Sequence, residues 1–330
     1  MQTPHRRLLH TLAAACAFAL CLPAQADDAA NLRPKFSTGQ ETRYTMEFAA
    51  NQSTSSPAFS GAEQRTVYSQ KLGLLRRVKE ASDAGTTIEL VVESAKVSMK
   101  SGPMMSEDFD SASPPEHDAT NQLAGGIRAI IGKPVTIRLG PDGRIASITG
   151  NKELIPQGPE GQVAQALVGD EMLRSTLSPL WSLDRAPATA TTGQKWQRID
   201  QAPAPPVGTM TVTTDQTLTS IDKGKALIDV SGSIELKHDG NSLPAELKSS
   251  SLSGQYIWDT VAGMLERQEV VQKMEMSATL QGAAFTIASD LTVKLARVDP
   301  AAPGDKPVPK SPPAPADPPK PSSPPAPVKP

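Results

Sequence analysis

The sequence predicts a mainly β protein (α+β), a curved antiparallel sheet of about ten strands with two helical segments between its halves. Three observations predict it. Apolar residues recur at every second position through most of the chain, turn-forming clusters rich in Asp and Gly punctuate them, and only two stretches carry helical spacing. Aromatic residues number just 6 Phe, 3 Tyr and 3 Trp, so the core must be mostly aliphatic.

The first strand is read from Tyr44, Met46 and Phe48, which alternate with polar neighbours. Thr66, Tyr68, Leu72, Leu74 and Val78 give a second, closed by a turn at Ser82-Asp83-Ala84-Gly85. In the third, Ile88, Leu90 and Val92 share one parity whereas Val97 and Met99 keep the other, so a bulge is expected near Glu93-Ser94-Ala95. Residues 101–118 carry glycine, paired prolines and five acids and read as a loop. Leu123, Ile127, Ile130 and Ile131 place a helix near 117–132, stopped by Gly132 and Pro134. Val135–Leu139 and Arg144–Ile148 flank Gly140-Pro141-Asp142-Gly143, a hairpin. Val163, Leu167, Leu173, Leu177, Leu180 and Trp181 place the second helical segment near 159–181, with a break at Gly169-Asp170. After a proline-rich loop at 202–206, strands resume around Met210, Val212 and Leu218, then Ile228, Val230 and Leu236, then Leu252, Tyr256 and Trp258. Met264 to Leu280 and Phe285 to Leu295 complete the sheet.

The ends differ from this body. His5-Arg6-Arg7, the apolar run Leu8–Leu22 and Ala24-Gln25-Ala26 form the three parts of an export leader, residues 1–26, cleaved after Ala26. Lipidation at Cys16 is the alternative, but cleavage there would leave too short an apolar stretch. With Cys16 and Cys21 both inside the leader, the mature chain has no thiol for a disulfide, for catalysis or for a metal. The expected location is therefore the periplasm or outside the cell, with no transmembrane segment, since the run falls short of the ~20 residues a bilayer requires. Residues 27–40 read as a linker. The last 31 residues hold 14 of the 31 prolines, so 300–330 is a disordered Pro/Lys-rich tail with polyproline character. Such a tail offers reach, or a peptide for a partner's aromatic groove.

The remaining body, 41–299, invites a reading as two similar halves, about 41–150 and 190–299. Asp83-Ala84-Gly85 precedes Ile88-Glu89-Leu90 just as Asp222-Lys223-Gly224 precedes Ile228-Asp229-Val230, and each half carries a glycine-bearing hairpin, at 140–143 and 259–263. Chance matches within any meander are the competing explanation. The segment 27–299 has 27 basic and 33 acidic residues, net −6, once Arg6, Arg7, four tail lysines and two tail aspartates are set aside. A body of that sign repels phosphate backbones, so nucleic acid is excluded as a partner.

Three segments carry a resemblance: GKPVTIRLGPDGRIASITG (132–150), TTGQKWQRI (191–199) and SGQYIWDTVAGMLERQEVVQKMEM (253–276). Together they resemble an uncharacterised family of exported bacterial proteins, catalogued only as a domain of unknown function, over roughly 40–298. The resemblance implies an envelope-facing β-rich domain and no catalytic residues. In architecture alone the pattern is similar to periplasmic lipid and lipoprotein carriers, in which a curved antiparallel sheet holds helices against its concave face.

The chemistry-bearing residues are few. His117, in Pro114-Pro115-Glu116-His117-Asp118, and His238, in Lys237-His238-Asp239-Gly240, each adjoin a carboxylate as a general base does, yet both sit in polar turns where a solvated histidine is the ordinary outcome. Metalloprotease, serine-hydrolase and phosphate-loop motifs are missing from the sequence. Glu107, Asp108 and Asp110 suit a hard cation but lack the glycine and terminal glutamate of a calcium loop. Met99, Met104, Met105, Met274 and Met276 suit copper(I) but read equally as core filler. Tyr256, Trp258, Trp181 and Trp196 line either an apolar pocket or a packed core. These readings predict no catalytic residue, no metal site, no cofactor and no enzyme. They predict a binding module or carrier whose partner is an apolar ligand or another envelope protein; the alternatives are a fully packed docking scaffold and a hydrolase built on two carboxylates.

Overall fold

The computed structural model describes residues 29–57, 63–103, 105–183, 185–204, 207–238, 244–280 and 283–298. The leader, the tail, Met104 and the Asp239-Gly240 turn lie outside the described residues. In chain order the strands are β1 (Ala29–Asn31), β2 (Glu41–Ser55), β3 (Gln64–Ser82), β4 (Gly85–Ser101), β5 (Met105–Asp110), β6 (Pro134–Leu139) and β7 (Ile145–Thr149), then β8 (Thr189–Thr191), β9 (Lys195–Ala204), β10 (Gly208–Asp222), β11 (Lys225–Lys237), β12 (Ala245–Asp259), β13 (Met264–Leu280) and β14 (Ala283–Val298). Helices α1 (Ala124–Ile130), α2 (Pro159–Val168) and α3 (Asp170–Arg174) lie in the two predicted helical regions, with short 3-10 turns at Pro115–Asp118 and Ser178–Leu180.

Among the described residues twelve strands form one antiparallel sheet, in the order β7-β6-β4-β3-β2-β14-β13-β12-β11-β10-β9, with β5 paired to β4. The chain thus starts at the centre with β2, runs outward to β7, crosses through the helices, and returns from the opposite edge to β14, which pairs with β2. Both runs pass through the sheet in the same sense. Six strands along, β3–β4 is replaced by β10–β11 and β6–β7 by β12–β13.

Alternation explains which face is buried. Tyr44, Met46, Leu72, Leu74, Ile88 and Leu90 from the first run, and Leu218, Ile228, Trp258 and Leu295 from the second, belong to one cluster with Ile127, Leu167, Leu177 and Trp181 of the helical segments. A flat sheet of twelve strands would span about 50 Å, too wide for one layer of helices to join both ends, so the sheet curls around them. Both edges bond the same short helix region. Arg174 Nη1 donates to the Ile145 carbonyl on β7 (3.4 Å), and Arg198 Nη1 on β9 donates to Ser178 Oγ (2.8 Å). No strand ladder joins β7 to β9 among the described residues, so the sheet is not closed into a barrel.

The turn chemistry accounts for the hairpins. At Asp222–Lys225 both central residues, Lys223 (φ 48°) and Gly224 (φ 75°), adopt the left-handed conformation that matches strand twist in a two-residue hairpin. The predicted bulge is present. Gly73 pairs with Ser94 and Leu74 with Val92, leaving Glu93 as the extra residue that switches parity. At Gly254 a side chain has no room, because a Cβ would lie 2.2 Å from the Glu269 carbonyl oxygen on the adjacent strand. The same holds at Gly232, where it would lie 2.3 Å from the Thr213 carbonyl oxygen. At both places glycine lets the neighbouring backbone approach closely.

Three readings from the sequence are corrected. Part of the 27–40 segment, taken for a linker, belongs to the fold: β1 pairs with β8, and Ala30 and Leu32 are buried. The loop assigned to 101–118 contains β5, because Phe109 finds a buried place opposite Val97 and Arg128 stacks on its ring at 4.9 Å. The strand β9 continues to Ala204, into the stretch taken for a proline-rich loop, with Pro203 tolerated on the sheet's edge strand.

Two outcomes test this account. Gly254→Val forces the β12 and β13 backbones apart and lowers stability by about 2–3 kcal/mol, measured by urea denaturation. The second concerns Asp259, at the β12–β13 turn, whose Oδ1 accepts the Val261 and Ala262 amides (3.1 and 2.9 Å) and whose Oδ2 accepts Lys225 Nζ (2.7 Å) and Arg297 Nη2 (3.2 Å). Burial alone would raise this carboxyl, but the Ala262 amide, Lys225 and Arg297 outweigh it and hold the group down at about 2. A depressed carboxyl contributes stability that is present above its unfolded value, near 4, and is lost as pH falls toward 2. Asp259→Asn therefore costs about 2 kcal/mol at pH 7, and its deficit relative to wild type narrows as pH is lowered from about 5 toward 2.5.

Candidate functional site

The sheet is covered unevenly. Residues nearest the helices are fully buried, whereas further along the same concave face Phe48, Tyr68, Met99, Leu252, Val270 and Leu291 are only half-buried. Strand pairing sets them side by side in two rows. Trp196, Gln216, Val230, Gly254, Val270, Val293 and Phe48 run across β9 to β2 in register. The next row begins at Arg198 and Thr214 and passes through Leu252, Gln272 and Leu291 to Ala50 and Tyr68. Beyond it Met274, Met276, Phe285 and Ile287 continue half-buried toward the far strand ends. The result is an apolar trough whose strands extend past the helices that fill the other end.

Where trough and helices meet, a cavity of about 200 Å3 lies between the end of α3 and strands β9 to β14. Glu171, Ser175 and Thr176 form its roof. Its floor is apolar at Leu252, Val270, Leu291 and Val293, and polar at Arg198, Thr214, Gln216, Tyr256 and Gln268. Two of the polar groups on the floor are already engaged. Arg198 Nε lies 2.6 Å from Asp200 Oδ2 while its Nη1 donates to Ser178, and Gln216 Oε1 accepts the Trp196 indole N–H at 2.9 Å. Burial, the main influence, raises the Tyr256 hydroxyl above its usual range, and Asp200 adds to this while Arg198 opposes it. Gln268 differs from its neighbours: its side chain is 4% exposed, and its Oε1 is buried with no hydrogen-bond partner.

Two further hollows lie elsewhere on the molecule. One of about 640 Å3 lies against β14 and β2 to β5, lined by Phe48, Val97 and Phe109 together with the paired charges Glu47 with Lys71 (2.8 Å) and Lys96 with Asp110 (2.8 Å). Another of about 680 Å3 runs beside the Pro141-Asp142-Gly143 turn and is lined by arginine and aspartate.

The candidates from the sequence are dispersed. His117 and His238 are exposed, and Asp118, beside the first, is held by Arg128 Nε at 2.7 Å. Glu107, Asp108 and Asp110 lie on β5, so alternation turns Asp108 away from Glu107, and Asp110 is paired to Lys96. Met99 is on β4 and Met274 and Met276 on β13, with β3, β2 and β14 between them. Among the described residues no group of three His, Cys, Asp or Glu side chains is placed to hold a metal ion, and no helix is long and apolar enough to cross a membrane. Of the aromatics, Trp181 and Trp258 are packed in the core, while Tyr256 faces the cavity. Sequence reasoning missed Gln268 and Arg198. Their signal was polar residues occurring on the core parity of β13 and β9.

Comparison with solved structures gives distant likenesses. A structure of lipid–protein interactions in lipovitellin matches 81% of this chain at 12% identity with a TM-score of 0.46, and the match covers 26% of that chain. The chain thus spans about a quarter of the lipovitellin chain. DynF from the dynemicin biosynthesis pathway of Micromonospora chersina matches 82% of this chain and 90% of its own, at 8% identity and a TM-score of 0.19. An outer membrane channel from Pseudomonas putida F1 matches 81% and 98%, at 8% identity and a TM-score of 0.22. With TM-scores below 0.5, none of these carries an argument about this chain. No curated protein sequence matches it. A family model does match, over residues 83–284, from the β3–β4 turn to the start of β14, and so takes in the cavity-lining residues of β9, β10, β12 and β13 but stops short of Leu291 and Val293. The chain belongs to the DUF6263 family, a family of unknown function.

Proposed function

We propose that the protein is a non-enzymatic binding module or carrier of the bacterial envelope that holds an apolar ligand against the concave face of its sheet. The observation that carries this reading is the half-buried apolar trough, which continues from the packed core and ends in a cavity beneath α3. A sheet built only for stability gains by covering such a face, because each Å2 of apolar surface removed from water contributes about 25 cal/mol. Leaving the trough half-open on long strands costs stability and supports a guest. Export by a leader peptide and the absence of catalysis belong to the same proposal. The scattering of both described histidines and of the acidic cluster supports the second of these. A partner-docking role with the Pro/Lys tail as spacer is the competing reading.

The test is native mass spectrometry of the full chain expressed with its leader and purified without detergent. An apolar mass that is released on denaturation supports the carrier. A bare protein that also fails to take up N-phenyl-1-naphthylamine overturns it in favour of the docking role. Leu291→Glu, which places a charge in the trough, lowers uptake of that fluorescent probe by about tenfold or more, while the far-ultraviolet circular dichroism of the sheet is kept.

A further inference from the structure

We infer that the cavity beneath α3 receives the head of a neutral single-chain amphiphile bearing hydroxyl donors, of the monoacylglycerol type, and discriminates against free carboxylates and phosphates. This rests on the carrier reading and specifies the ligand class for the same face.

Size sets the first constraint. A space of about 200 Å3 is smaller than the ~300–1,000 Å3 that drug-sized ligands occupy. It therefore accommodates one end of a guest, and the remainder lies in the trough beyond, along Met276 and Ile287. Polarity orients the guest. The polar groups gather at the α3 end, whereas the trough beyond is apolar, so the head enters and the chain trails out.

Charge then selects the head. Three charged residues line the cavity, Glu171, Arg198 and Asp200, net −1. The one cation among them is already neutralised by Asp200 and bonded to Ser178. An anionic head would meet no uncommitted positive charge, and it would lose its hydration without compensation. A hydroxyl meets the opposite situation. Gln268 Oε1 is a buried acceptor without a partner, and an unmade hydrogen bond on a buried acceptor is destabilising until a donor arrives. A hydroxyl donates to that oxygen and can also accept, which suits an amide side chain in either orientation.

The experiment is displacement of N-phenyl-1-naphthylamine from the full chain by four probes with a common twelve-carbon chain, each below its micelle concentration. These are monododecanoylglycerol, dodecanoate, dodecyl phosphate and dodecyltrimethylammonium. The expected order places monododecanoylglycerol first, about tenfold or more ahead of either anion. In Gln268→Leu its lead over dodecanoate shrinks by about fivefold or more, a ratio that a general loss of packing leaves alone. Displacement by all four with equal strength, or a preference for an anion or for the ammonium, overturns this inference and leaves the carrier reading standing. Should none of the four bind and the probe itself fail to bind, both fall. The wild-type ranking decides the matter even where Gln268→Leu does not fold.

Discussion

One buried cation holds the two layers together. Arg76 on β3 is 1% exposed, and among the described residues no carboxylate pairs with it. Its Nη1 donates to the Leu180 carbonyl at 2.5 Å and its Nη2 to Thr42 Oγ1 at 3.1 Å, with Met264 Sδ at 3.9 Å. Its guanidinium also sits over the rings of Phe36 and Tyr44, at 5.5 and 5.8 Å. Burial pulls its affinity for the proton down, as desolvation of a cation must. The planar fork and the weak hydration of guanidinium make arginine the side chain suited to this place. The end of the second helical segment, β2, β3 and β13 all meet at this one group. Everything that depends on the helices staying seated on the concave face depends on it too, including the roof of the cavity.

The seating of that segment explains why an open sheet tolerates two distant edges. Arg174 reaches the backbone of β7, and Arg198 of β9 reaches back to Ser178. The helical segment thus stands where further strands would stand in a closed barrel, with side-chain hydrogen bonds in place of a ladder. A ladder seals the whole length of a strand, but a short helix seals only its own length. That difference leaves the far part of the concave face half-covered, and it gives the trough an end rather than a through passage.

Much of this was legible in the sequence, because strands and their turns are written locally. Period-two alternation located β2, β3, β4 and β10 to β14, and the parity switch at Glu93 identified a bulge from one chain alone. Residues 140–143 and 222–225 specified their hairpins through glycine and a short polar turn. The failures share a cause. β1 and β5 are held by partners far away or by one buried ring, Ala30 opposite Ala190 and Phe109 against Arg128, and a three- or six-residue strand leaves too little pattern to read. The cavity was illegible for a different reason. Gln268 and Arg198 look like ordinary polar interruptions until the pairing of β9, β10 and β11 through β13 places them under α3. Aromatic residues pointed to the right region but could not separate Trp258, packed, from Tyr256, two residues earlier and facing the cavity.

The seam between β2 and β14 governs how the molecule comes into being. These strands lie next to each other at the middle of the sheet, yet Phe48 and its partner Val293 are separated by nearly the whole folded chain. Until the last strand is delivered, every nascent form has an unsatisfied edge at its centre, not its rim. Contacts of that sequence separation form late and slowly, since the loop they close is the entire domain. An edge of fifteen residues exposed for so long is an invitation to pair with another chain. The architecture therefore ties successful folding to the arrival of its final sixteen-residue strand, and it makes protection of the incomplete sheet a requirement of biogenesis.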